Sequence, residues 1–199
     1  MTHLSPDHLA EISALATRYG APARVEAHLH DTVFDPLTRT DRIGEVCMVI
    51  RRPTGRLLTM RKEIYPPGIF RLPTGGITPS ESIHAALLRE VAEETSLRVT
   101  INRFLATIAY TFASATTGEP VFYTFAFLLD EQGGTLAVQD PHERVEAFHE
   151  IAPDELPAIA ARLEHLEPHH DRAIGGNWGA WGAFRAVTHR VVARALAQG

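Results

Sequence analysis

Glu90, Glu93 and Glu94 stand at positions i, i+3 and i+4 of a segment whose other residues favour a helix. That spacing projects three carboxylates from one helix face within a single turn. Like charges so placed repel, at about a few tenths of a kcal/mol per exposed pair. A divalent cation removes the repulsion, and an all-oxygen donor set selects magnesium, calcium or manganese over softer metals. Magnesium in particular bridges carboxylates to phosphate oxygens. The pattern points to cation-assisted phosphate chemistry, although the hexapeptide Arg89 to Glu94 alone fits a solvated acidic helix face as well.

The neighbouring residues are those needed to position such a cluster. Gly75-Gly76 closes a strand and opens a loop, and a serine among Ser80, Glu81 and Ser82 can cap the helix. Leu87, Leu88 and Val91 point to another side and suit packing on a sheet. The whole stretch from Gly75 to Leu97, GGITPSESIHAALLREVAEETSL, resembles the Nudix box, G-x5-E-x7-R-E-U-x-E-E-x-G-U with U apolar. Gly75 fills the first position, followed by Glu81, Arg89, Glu90, Val91, Glu93, Glu94 and Leu97. Ser96 stands where that family has glycine, a residue that ends the helix in a left-handed backbone, which serine adopts only at a cost.

The resemblance implies a Nudix-type α/β/α sandwich over roughly residues 42 to 160, and hydrolysis of a pyrophosphate bond in a nucleoside diphosphate linked to another moiety. It implies Mg2+ or Mn2+ as cofactor, with more than one ion when substrate is bound. Glu90, Glu93 and Glu94 would hold the metal, a backbone carbonyl near Thr74 or Gly75 would add a ligand, and Glu81 would support the loop or a second ion. Arg89 would orient a helix carboxylate, with Glu93 one turn on as its natural partner. Relatives vary in where a carboxylate takes the proton from water. Beyond the box Glu143 ranks first, ahead of Glu146, with Glu119 a third candidate. Arg52, Arg61, Lys62 and Arg71 lie on or beside strands leading to the box and, with Gly75 and Gly76, are candidates for substrate binding. For each cation a solvated strand face is an equal reading.

The remaining chain reads as α+β, a mixed sheet with separate helices. Residues 1–40 form an extension, with a helix from Ser5 to about Tyr19 and a strand from Arg24 to Asp31. Residues 41–166 form the central domain, and 167–199 a loop and helix packed on it or on a second subunit. A homodimer through these extensions is compatible with that layout. Within the domain, Glu45 to Arg52 and Arg56 to Lys62 read as a hairpin. Leu97 to Phe112 holds one or two strands, and Val121 to Leu129 is apolar on both faces. Turns are expected at Ala115 to Pro120 and at Gln132-Gly133-Gly134, a short strand at Val145 to Ile151, and a helix from Pro153 to about Leu166. In the last helix Trp178, Trp181 and Arg185 share a face. Packing is the favoured reading of that stripe, and an aromatic stacked on a base, with Arg172 or Arg185 on a phosphate, the other.

With 199 residues, 45% of them hydrophobic and 22% charged, the composition is that of an ordinary globular protein. The net charge of -5 argues against a duplex nucleic-acid surface and leaves a small nucleotide as the expected partner. No apolar run approaches the roughly 20 residues that span a bilayer, and no basic start leads into an apolar core, so a cytoplasmic location is expected. The lone Cys47 excludes an intrachain disulfide and sits in a strand expected to be buried. Two other functions share the Nudix fold. Isopentenyl diphosphate isomerases carry a cysteine near the start of the box, where Leu72 to Gly76 has none. Non-catalytic nucleotide sensors often lose box carboxylates, whereas all are present here.

Overall fold

The computed structural model describes residues 4–29, 34–113 and 119–198. The end of the first expected strand and the first four residues of the turn expected at Ala115 to Pro120 lie outside the described residues. A seven-stranded sheet lies between two helical layers. Its strands are β1 (Ala23–Leu29), β2 (Gly44–Arg51), β3 (Leu57–Lys62), β4 (Thr74–Ile77), β5 (Leu97–Phe112), β6 (Phe122–Gly134) and β7 (Val145–Ile151). The order is β1-β5-β6-β2-β3-β7, with β4 also paired to β2. The β1–β5 and β2–β6 pairs are parallel and the rest antiparallel, so the sheet is mixed.

Strict alternation in the central strands sorts the core into two layers. From β2, Val46, Met48 and Ile50 face α1 (Pro6–Tyr19) and α2 (Ile83–Thr95), joined there by Phe125, Phe127 and Leu129 of β6. Cys47 and Val49 face the other way, toward α3 (Leu156–Glu164) and α4 (Trp178–Ala197), together with Ala126 and Leu128. Burial and the neighbouring Glu45 push the Cys47 thiol far up, as suits an inert core residue. Trp178 and Trp181 are buried in this second layer against Tyr65, so the aromatic stripe packs on its own sheet. Before α4, a two-stranded ribbon pairs β8 (His170–Asp171) with β9 (Gly176–Asn177). Among the described residues no helix is long and apolar enough to cross a membrane.

Two details differ from the sequence reading. The β2–β3 hairpin closes through Arg52 N–H to Arg56 O at 2.8 Å, but the strands then splay apart. Residues 71–77 enter the gap: Met60 exchanges two backbone bonds with Arg71, Met48 N donates to Pro73 O, and Thr74–Ile77 pairs with Gly44–Cys47. The turn expected at Gln132-Gly133-Gly134 is the end of β6, still paired to Leu97 and Arg98. The glycines accommodate it with φ values of 132° and 107°. Residues 97–112 form one strand, with bulges in its register against β6.

Helix α2 is capped at both ends. Ser82 Oγ accepts from Ala85 N at 3.0 Å, and Ser96 takes the left-handed conformation (φ 56°, ψ 14°), its N–H returning to Ala92 O. Serine there costs about 1 kcal/mol, which fold closure overrides. A further cap comes from outside the box. Glu11 of α1 accepts from Ile83 N at 2.8 Å and His84 N at 2.9 Å, placing a carboxylate at the positive end of α2. The first helix thereby fixes the start of the acidic one. Glu11→Ala is expected to cost about 1–2 kcal/mol of stability in urea unfolding. A change within ~0.3 kcal/mol would show that the contact holds nothing.

Candidate metal and phosphate site

Insertion of residues 71–77 between β2 and β3 brings Gly75 against the second turn of α2. A Cβ built on Gly75 would lie 1.9 Å from the Glu90 Cδ, so only glycine leaves room for that carboxylate. Glu90 and Glu94 are both buried, one turn apart on the sheet side of α2. The third member of the cluster is Glu143, which ends the 3-10 turn Pro141–Glu143 before β7. Oxygens of Glu90, Glu94 and Glu143 lie within 4.8 Å of one another. Lys62, at the end of β3, places its Nζ 2.9 Å from Glu94 Oε1 and 2.6 Å from Glu143 Oε2.

Burial sets the electrostatics. Desolvation raises the Glu94 carboxyl to about 7, against the pull of Lys62 and Arg71. It raises Glu90 as well, Arg89 opposing. Burial also works against an ionised Glu143, but the Lys62 ammonium outweighs it and holds that carboxyl below its ordinary range. Neither Glu94 oxygen receives a well-aligned hydrogen bond. Buried carboxylate oxygens held only by the Lys62 ion pair, beside two further carboxylates, form a hard, all-oxygen donor set, and a divalent cation fits it.

Arg89 organises the outer side. Its Nε and Nη2 hold Glu81 at 2.8 and 2.9 Å, and Nη1 donates to Glu90 and Glu93, each at 2.9 Å. Nη2 also donates to Gly76 O at 2.9 Å, tying the loop before α2 to the helix. The hydrogen bonds from Arg89 hold the Glu81 carboxyl below its ordinary range. Glu93 therefore faces Arg89 and is not one of the three clustered carboxylates.

The cluster opens into a cavity of about 330 Å³, lined by Glu90, Glu143 and Lys62 together with Glu45, Tyr65, Arg71, Thr74, Trp181 and Arg185. Arg39, Arg42 and Arg144 also line it. Gly75 and Gly76 line it too, whereas Arg52 and Arg61 do not. Arg52 pairs with Glu131 and Glu150, and Arg61 with Glu146, which turns that glutamate away from the cluster. Glu119 lies outside the cavity lining as well. Sequence reasoning missed Glu45 and Tyr65. The one available signal was a glutamate opening the otherwise apolar strand Glu45-Val-Cys-Met-Val-Ile50.

The chain matches the NUDIX domain family over residues 41–172. Similar solved structures include the solution structure of the E. coli ORF135 protein, 20% identical with a TM-score of 0.44, covering 70% of this chain and 81% of that one. An ADP-ribose pyrophosphatase from Streptococcus suis is 17% identical (TM-score 0.45), covering 76% of this chain and 90% of its own. A MutT NUDIX hydrolase from Burkholderia pseudomallei is 27% identical (TM-score 0.43), covering 62% and 96%. No curated protein matches the chain. The family match takes in the glycine turn, the capped acidic helix and Glu143, well over half of the sequence, and on that span the chain belongs to the NUDIX domain family.

Proposed function

We propose that this protein is a Nudix hydrolase that cleaves a pyrophosphate bond in a nucleoside diphosphate linked to another moiety, with a divalent cation, Mg2+ or Mn2+, as cofactor. The observation that carries the reading is the meeting of Glu90, Glu94 and Glu143 within 4.8 Å beside a cavity also lined by Lys62, Arg71 and Arg185. Those three carboxylates would hold the ion. Glu93 and Glu81, gathered by Arg89, are the next available, and Thr74 and Gly75 adjoin Glu90. Bound there, the ion would neutralise phosphate charge and acidify a water.

The chain's own residues supply the rest. Arg71 and Lys62 face the phosphate oxygens. Arg89 fixes the carboxylates and the Gly76 carbonyl in one geometry, so little reorganisation is left for the reaction. A water oxygen bonds to one phosphorus, the bridging P–O bond breaks, and the water proton passes to a carboxylate. Glu143, kept ionised by Lys62 and partly open to the cavity, is the group placed to take it. Glu146 is engaged with Arg61 instead.

The test is product release from a panel of ADP-ribose, NADH, dinucleoside polyphosphates, CoA, nucleotide sugars and nucleoside triphosphates, each with Mg2+ or with chelator. Turnover of at least one with Mg2+, and none with chelator, is expected. No turnover of any, or turnover indifferent to chelator, would overturn the reading.

A further inference from the structure

Beside the carboxylate cluster the same cavity is lined by hydrogen-bond donors. Arg71 is buried there, Nε donating to Tyr65 Oη at 2.6 Å and Nη1 to Leu72 O at 2.7 Å and Thr74 Oγ1 at 2.9 Å. None of these partners is a carboxylate. Arg185, from α4, is also buried. Its Nη1 donates to both Glu45 oxygens at 2.7 Å and to Thr74 Oγ1 at 3.3 Å, and its Nε has no partner. Glu45 offsets the Arg185 charge by direct contact, whereas Arg71 has no carboxylate partner in contact and feels Glu94 only at longer range. His189 stands behind them, kept neutral by burial, with a pKa of about 4.

Both hydroxyls on this wall are left with a proton to donate. Thr74 Oγ1 accepts from two guanidiniums, which uses its lone pairs. Tyr65 Oη already accepts from Arg71. Two guanidiniums and two hydroxyl protons make a surface complementary to an oxyanion. The seat adjoins the carboxylate cluster, because Thr74 precedes Gly75, which touches Glu90. Its far side is closed by Trp181, Phe184 and His189, all buried, with Arg185 stacked 4.8 Å from the Phe184 ring centroid.

We propose that Arg71, Arg185, Thr74 and Tyr65 form an oxyanion seat for the terminal phosphoryl group of the substrate, so that the preferred substrates are nucleotides with an uncapped di- or triphosphate. Trp181 and Phe184 stand against the Arg185 guanidinium, where the second sugar of a diphosphate closed at both ends would have to displace them. Arg185 lies beyond residues 41–172, so this selectivity comes from a helix outside the family match.

Phosphate seating needs no divalent ion, so it is tested apart from catalysis. Inorganic phosphate is titrated calorimetrically into the whole protein with chelator present. Arg71→Met is expected to weaken binding roughly tenfold or more, and Glu45→Gln to tighten it by about tenfold, through loss of the carboxylate paired with Arg185. A folding defect would not produce the second change. No binding to the unaltered protein, or an affinity unmoved or weakened by Glu45→Gln, would overturn the seat. The substrate class additionally rests on the hydrolase reading. Phosphate bound in this way by a protein that hydrolyses nothing would remove that reading and the substrate class with it, and leave the seat. Preference for ADP-ribose over nucleoside triphosphates would overturn the substrate class alone.

Discussion

Glu94→Gln is expected to make the metal-free protein more stable while removing nearly all of its activity. Burial lifts this carboxyl to about 7 from its ordinary 4.5, so the folded chain binds a proton that the unfolded chain releases. Stability therefore falls as pH rises from 4.5 to 7, and the full penalty applies above that range. At about 1.4 kcal/mol per pH unit, the penalty reaches up to ~3 kcal/mol. Glutamine carries none of it, and Lys62 keeps Glu143 as its partner. In urea unfolding with chelator the variant should match the parent near pH 4, gain through the window, and level off above pH 7. Loss of a carboxylate from the centre of the donor set should lower kcat by about a thousandfold or more. A variant less stable than its parent at pH 8, or one keeping a tenth of the activity, would contradict both the burial argument and the assigned role.

Gly75→Ala is the second large effect. The new methyl would stand 1.9 Å from the Glu90 Cδ and 2.1 Å from its Cγ, too far back along the side chain for a simple tip rotation. Glu90 must swing, and Arg89 loses one of the carboxylates it joins. Overpacking of this kind costs about 1–3 kcal/mol. Displacing a catalytic carboxylate by about an ångström costs on the order of a hundredfold in rate. Gly76→Ala is the internal comparison, because the nearest atoms to its methyl belong to the Arg42 guanidinium, the end of a flexible side chain. Equal losses in the two variants, read by kcat and thermal midpoint, would show that the Gly75–Glu90 contact has no special place.

The parts legible in the sequence were those set by local rules. The period of β2 and β6, the Ser82 cap and the left-handed Ser96 all follow from residues close in the chain, and they place the acidic helix on the sheet. What stayed out of reach depends on distant pairing. Helical spacing put Glu93 with Glu90 and Glu94 and also made it the natural partner of Arg89, but it cannot say which of the two roles prevails. Arg89 holds Glu93 on the outside, and Glu143 completes the cluster. Glu143 arrives only because β7 pairs with β3 and carries the preceding 3-10 turn to Lys62. The Glu45–Arg185 pair and the cap from Glu11 join residues far apart in sequence, and no periodicity marks either one. Arg52 and Arg61 have the same strand context as Lys62 and Arg71. Their acidic neighbours decide the difference, and those are fixed by sheet order.

The most direct measurement is an anomalous-difference map from a crystal soaked in Mn2+ with a non-hydrolysable nucleoside triphosphate analogue. A peak is expected within coordinating distance of the Glu90, Glu94 and Glu143 carboxylates, with Lys62 moved aside. Density elsewhere, or none among those three side chains at saturating Mn2+, would contradict the assignment of this cluster as the seat of catalysis.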